Sequence, residues 1–178
     1  MRHLLAAAIA CVALTANLAA RAEDHDLMNH HMHMAAMGAD ARQPVVFPPA
    51  MRQHMLGNMR DHLQALADIL AALSGGEYAN AAHIAHARLG MESPAASACA
   101  PAGASAAQAP EAMDMEQMMA RFMPENMRAV GLEMHQSASV FAAEADKAAR
   151  TGDARPAYAA LAHVTEKCAV CHMAYRVQ

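Results

Sequence analysis

Between Pro49 and Gly75 the apolar residues Leu56, Met59, Leu63, Leu66, Leu70 and Leu73 recur every three or four positions, a spacing that only a helix turns into one continuous face. This stretch predicts a first helix, opened by Pro49 and stopped by Gly75-Gly76. Glu77 to Leu89, rich in alanine and closed by Gly90, predicts a shorter second one. Met127, Val130, Met134, Phe141, Ala145 and Ala148 repeat the stepping on a third, with Pro124 suited to its first turn and Gly152 ending it. Asp153 and Pro156 open a fourth, on which Tyr158, Leu161, Val164, Cys168, Cys171 and Tyr175 share the buried face. Met113 to Met123 suggests a short amphipathic lead-in to the third helix. Aromatic residues make up only 3% and Trp is absent, so strands would have little to build from. The expectation is an all-α chain, and short first and third connections with a longer middle one describe an antiparallel four-helix bundle.

The flanks and the middle connection read differently. Arg2 and His3 precede an apolar run from Leu4 to Leu18 that closes on Ala20-Arg21-Ala22, so residues 1–22 are expected to be a cleaved secretory signal and the product periplasmic. The run is too short for a confident membrane span, and no stable membrane insertion is expected. Residues 23–47 form a His/Met-rich leader without periodicity, expected to be flexible. Its His25, Met28, His30, His31, Met32, His33, Met34 and Met37 carry groups that suit copper, so copper handling is one function this segment suggests. The bundle domain is placed at 48–178, interrupted by a disordered linker at 92–111 rich in Ala, Ser and Pro. Cys99 lies there and is assigned no role. A formal charge of −4 speaks against nucleic acid as a partner.

Chemistry concentrates at Cys168-Ala169-Val170-Cys171-His172. C-x-x-C-H is the attachment signature of c-type haem, in which two thiols add to porphyrin vinyl groups and the imidazole becomes an axial iron ligand. On a helix, positions 168, 171 and 172 stand at i, i+3 and i+4 and face one side. A structural zinc site would need four protein ligands where the motif offers three, and a thioredoxin-like dithiol would sit near a helix start in a βαβ setting. One covalent haem c therefore uses the motif best, with Cys168 and Cys171 binding the cofactor and His172 ligating iron.

A C-x-x-C-H close to the end of the last helix, followed by Tyr175-Arg176, resembles the class II c-type cytochromes, the cytochrome c-prime family. Met51-Arg52-Gln53-His54-Met55 resembles that family's first helix, where an arginine lies near a haem propionate and a residue about one turn later faces the iron. The resemblance covers residues 48 to 178 without the Ala/Pro linker, and implies Arg52 as the propionate partner with Arg60 second. It also implies redox proteins as partners and a homodimer as an assembly state.

The sixth iron position decides the function. His172 stands about 6 Å from the chain's helical end, while Met55 is about 9 Å into the first helix and Met59 about 15 Å, so depth in an antiparallel bundle favours Met55 over Met59. His54 and His62 are in range but off the apolar stripe. Methionine ligation describes a one-electron carrier with no catalytic acid, base or nucleophile, hence not an enzyme. If Leu56, at i+4 from Arg52, covers the iron instead, the site stays open to NO or CO. His83, His86, His135 and His163 are read as surface or internally satisfied histidines.

Overall fold

A computed structural model describes residues 40–100 and 114–178. The signal, the His/Met cluster of the leader, residues 101–111 of the linker and Met113 lie outside the described residues. The chain divides into Met1–Ala41 and Arg42–Gln178, and every element below belongs to the second unit. It is mostly helical. In chain order it contains strand β1 (Gln43–Val45), helices α1 (Pro49–Ser74) and α2 (Tyr78–Arg88), a 3-10 helix (Pro94–Cys99), helices α3 (Met115–Ala120), α4 (Glu125–Thr151) and α5 (Arg155–Ala174), and strand β2 (Tyr175–Val177).

The local signals that bound the long helices explain where they start and stop. Pro49 opens α1, where a missing backbone donor costs nothing. At the other end Gly76 takes φ +73°, a conformation that glycine adopts without strain, and the chain turns into α2. Gly152, at φ +77°, ends α4 in the same way, with its amide donating to the Ala148 carbonyl at 2.8 Å.

The closely packed helix pairs are α1 with α2, α2 with α4, and α4 with α5. Small residues make this possible: Ala65 and Ala72 of α1, Ala81, Ala82 and Ala85 of α2, and Ala138, Ala142 and Ala145 of α4 are all buried in one core, which Phe141 and Ile69 fill. Full burial of Phe141 stabilises the core by about 1.5–3 kcal/mol. Arg88 of α2 ties that helix to α1 through Asp61 at 2.6 Å and Asp68 at 2.7 Å.

The face that α1 buries differs from the expected leucine stripe. Leu63 and Leu70 are 69% and 54% exposed, and the buried positions are Met55, His62, Ala65, Ile69, Ala72 and Leu73. Close approach of α2 selects the alanine side of α1, which leaves Leu63 and Leu70 toward the rim while Leu73 stays in the core. A second apolar cluster gathers Val45, Phe47, Met55, Cys99, Met119, Met123 and Met127 at the other end of the helices.

Three segments depart from the sequence expectation. The end of the leader is folded: β1 runs parallel to β2 with Val45 opposite Val177, and Val45 and Phe47 are buried. Tyr175, expected on the last helix, is instead extended and opens β2. Residues 94–99 of the expected disordered linker form the 3-10 helix, with Ala96, Ala98 and Cys99 buried. In each case burial against distant parts of the chain outweighs weak local propensity. Among the described residues no helix is long and apolar enough to cross a membrane.

Candidate functional site

A cavity of about 580 Å³ lies among α1, α3, α4, α5 and the 3-10 helix, within the size range of small-molecule and cofactor sites. α1 and α5 are not among the closely packed pairs, and residues of both contribute to its wall. From α5 come Cys168, Cys171 and His172, and from α1 come Met55, Leu56, Met59, Arg60, His62 and Leu66. Strand β2 adds Tyr175 to Val177, so the unexpected strand pair stands beside this wall.

The motif's three side chains therefore reach one volume. Cys168 and Cys171 are half-buried free thiols, and burial raises the pKa of both, keeping them protonated. His172 is exposed, and its carbonyl accepts from Arg42 at 3.4 Å. Met55 is 3% exposed and Met59 half-buried, both in the wall. Arg52 is exposed and stands outside the wall, whereas Arg60 is in it. α1 turns Met55 and Met59 inward together, and position 52 falls on its solvent side.

His54 is not in the wall either. Its Nε2 lies 2.6 Å from Oε1 of the buried Glu116, which also accepts from Asn58 at 3.0 Å, so the pair fastens α3 to α1.

Two histidines are more deeply placed than their sequence positions suggested. His62 is 9% exposed, lines the cavity, and has no hydrogen-bond partner at Nε2. Burial first, and then the neighbouring His135, lower its pKa to about 4, so the ring is neutral at physiological pH. His135 also lines the cavity and packs edge-on against it, ring centres 5.6 Å apart. Its Nδ1 donates to the Leu89 carbonyl at 2.8 Å, which fixes the tautomer of the neutral ring. The signal for His62 was present in its spacing from Ala65, Ile69 and Ala72, but the larger leucines obscured it.

Cys99, left without a role by its sequence surroundings, is buried in the same wall. Burial, with Cys171 and Glu116 nearby, pushes its thiol up to about 12. Gly131 of α4 makes room for it: a Cβ there would lie 2.5 Å from the Cys99 sulfur. Gly131→Ala is therefore expected to destabilise the chain by about 1–3 kcal/mol through overpacking. Urea unfolding checks this, and adding Cys99→Ala should recover most of the loss; no recovery would mean that the glycine serves another purpose.

Among the described residues no three His, Cys, Asp or Glu side chains are gathered as a metal-ligand set. The chemistry on offer is two thiols with an adjacent imidazole, a neutral buried imidazole, and many thioethers around one apolar volume. No family model, curated protein or solved structure matches the chain.

Proposed function

We propose that this chain is an exported, periplasmic mono-haem c-type cytochrome that carries single electrons between redox proteins. In this reading α1, α2, α4 and α5 form an antiparallel four-helix bundle of the class II, cytochrome c-prime type. The observation that carries it is the placement of Cys168, Cys171 and His172 in the wall of a largely apolar cavity of about 580 Å³, with Met55 in that same wall. The residues fit the group: both thiols are free, and the volume is bordered by apolar and thioether side chains.

Cys168 and Cys171 would hold haem c by thioether bonds, with His172 and Met55 as iron ligands and Met59 beside Met55. A haem bound there supplies one-electron iron chemistry. The chain's own part is to orient its two ligands, exclude water with the methionine-rich wall, and leave an edge near the exposed His172 for partner proteins. Arg60, in the wall, takes the propionate-pairing role expected of Arg52. The reading requires no nucleic acid, no stable membrane insertion and no catalytic group, and a homodimer remains part of what the resemblance implies.

A second reading, binding of NO or CO at an open iron position, is favoured by two wall residues. Leu56 shares the wall with Met55, and the unpartnered Nε2 of His62 offers a polar contact within an apolar volume.

Optical spectra of the protein matured in a cytochrome-competent host, oxidised, reduced and reduced with CO, separate the two. Electron transfer predicts a methionine-sulfur charge-transfer band and no response to CO. Met55→Ala should abolish that band and make the reduced protein take up CO. High-spin spectra in the unsubstituted protein would favour the gas-binding reading. A colourless product with the mass of the bare chain would refute both.

A further inference from the structure

The segment ahead of the folded unit opens in a way that the haem reading leaves unused. Cleavage after Ala20-Arg21-Ala22 gives a mature chain that begins Glu23-Asp24-His25. A free α-amine is thereby followed by two residues that each carry a backbone N–H, and the second of these bears an imidazole. The first proline beyond this point is Pro44, so no amide in the run is blocked. The site that results rests on the export reading and uses none of Cys168, Cys171 and His172.

Four nitrogens follow one another in covalent order: the α-amine of Glu23, the amide nitrogens of Asp24 and His25, and Nδ1 of His25. Closing them around one ion makes two five-membered rings and one six-membered ring, all in one plane. The donors converge through bonds alone, so no packing has to bring them together, and residues 23–25 lie outside the described residues. A histidine one place earlier or later does not close the same rings. A square-planar nitrogen set selects Cu(II) or Ni(II) over Zn(II), which takes a tetrahedral one. Clustered histidine in a tail ordinarily signifies biased composition, but composition does not dictate that His25 stands third from the cleavage point. Among the described residues no three His, Cys, Asp or Glu side chains are gathered to compete for the ion.

We propose that the mature amino terminus, Glu23-Asp24-His25, is a binding site for Cu(II). On binding, the terminal ammonium loses one proton and the amide N–H bonds of Asp24 and His25 break, so those protons leave to solvent as the nitrogen–copper bonds form. The neutral imidazole binds through Nδ1 without losing a proton. Copper remains Cu(II) throughout, and the negative charges of the two deprotonated amides cancel the charge of the ion.

The test is titration of the full mature chain, purified from the periplasm, with Cu(II) buffered by glycine and read by electron paramagnetic resonance, which separates copper from iron. Intact mass first fixes the amino terminus. The first equivalent of copper is expected to show superhyperfine splitting from four nitrogens. His25→Ala should weaken that equivalent by at least about a hundredfold, as much as or more than the loss of a group behind a metal ligand costs. Asp24→Pro removes one amide N–H while keeping His25, and should weaken it equally. Replacing His30, His31 and His33 together by alanine should leave the first equivalent in place. A chain that begins at Glu23 and lacks the four-nitrogen signal overturns the site alone, as does a signal that persists in Asp24→Pro or disappears with His30, His31 and His33. An amino terminus elsewhere overturns the expected cleavage and the site together. A colourless chain that shows the four-nitrogen signal removes the haem reading and upholds the site.

Discussion

Cys168→Ala/Cys171→Ala, produced in a cytochrome-competent host, is expected to yield a mature chain with the mass of the bare polypeptide and no pigment surviving denaturation. Each single variant should keep one thioether and an altered spectrum. The two thiols are half-buried in the cavity wall and stand one helical turn apart, so both can react with one group seated in the cavity. The effect should extend to stability. α1 and α5 are not closely packed, and wall residues of both border about 580 Å³ that no side chain fills. A covalent group there would replace that void with apolar contact on several helices. Its loss should lower the melting temperature by at least about 10 °C, equivalent to two or three kcal/mol. Equal masses and melting temperatures for the double variant and the unsubstituted chain would leave the haem reading without support.

The long helices were legible because their limits are written in single residues. Pro49, Gly75-Gly76 and Gly152 act within one turn of their own positions, and α1, α2 and α4 run between the expected punctuation. The spacing within Cys168 to His172 is likewise local, and the helix carries all three to one wall. What was not legible depends on distant partners. The rotation of α1 is set by how closely α2 can approach Ala65 and Ala72, which no periodicity over leucines reports. β1 has meaning only beside β2, some 130 residues further along the chain. Cys99 sits in a sequence poor in structure signals, and its burial depends on an absent side chain at Gly131. Arg52 shows the same limit for a site residue: it stands outside the wall, while Arg60, about two turns further along α1, enters it.

The second large effect expected is on acid stability, and His62 is its main source. Its pKa falls from 6.5 to about 4 on folding, because burial and then His135 disfavour the charged ring. Above about pH 6.5 the ring is neutral in both folded and unfolded chains and contributes no pH dependence. Between 6.5 and 4 the unfolded chain takes up a proton that the folded chain refuses, so stability falls as pH falls. Once the folded form also protonates, below about 4, this contribution levels off. The full interval amounts to about 3 kcal/mol at 1.36 kcal/mol per pKa unit. His135, lowered chiefly by its own burial, adds in the same direction. Carboxylates such as Asp153, held at about 2 by Arg155, exert their effect at lower pH, below the ordinary carboxylate value of 3.8. Urea unfolding of the haem-free chain at intervals from pH 7.5 to 4 measures the slope directly. His62→Phe should lose close to one proton's worth of pH dependence between 6.5 and 4, and at pH 4.5 should close part of any stability gap it shows at pH 7.5. An unchanged slope in that variant would mean that the ring protonates in the folded chain as readily as in water, and that the wall around it is wet.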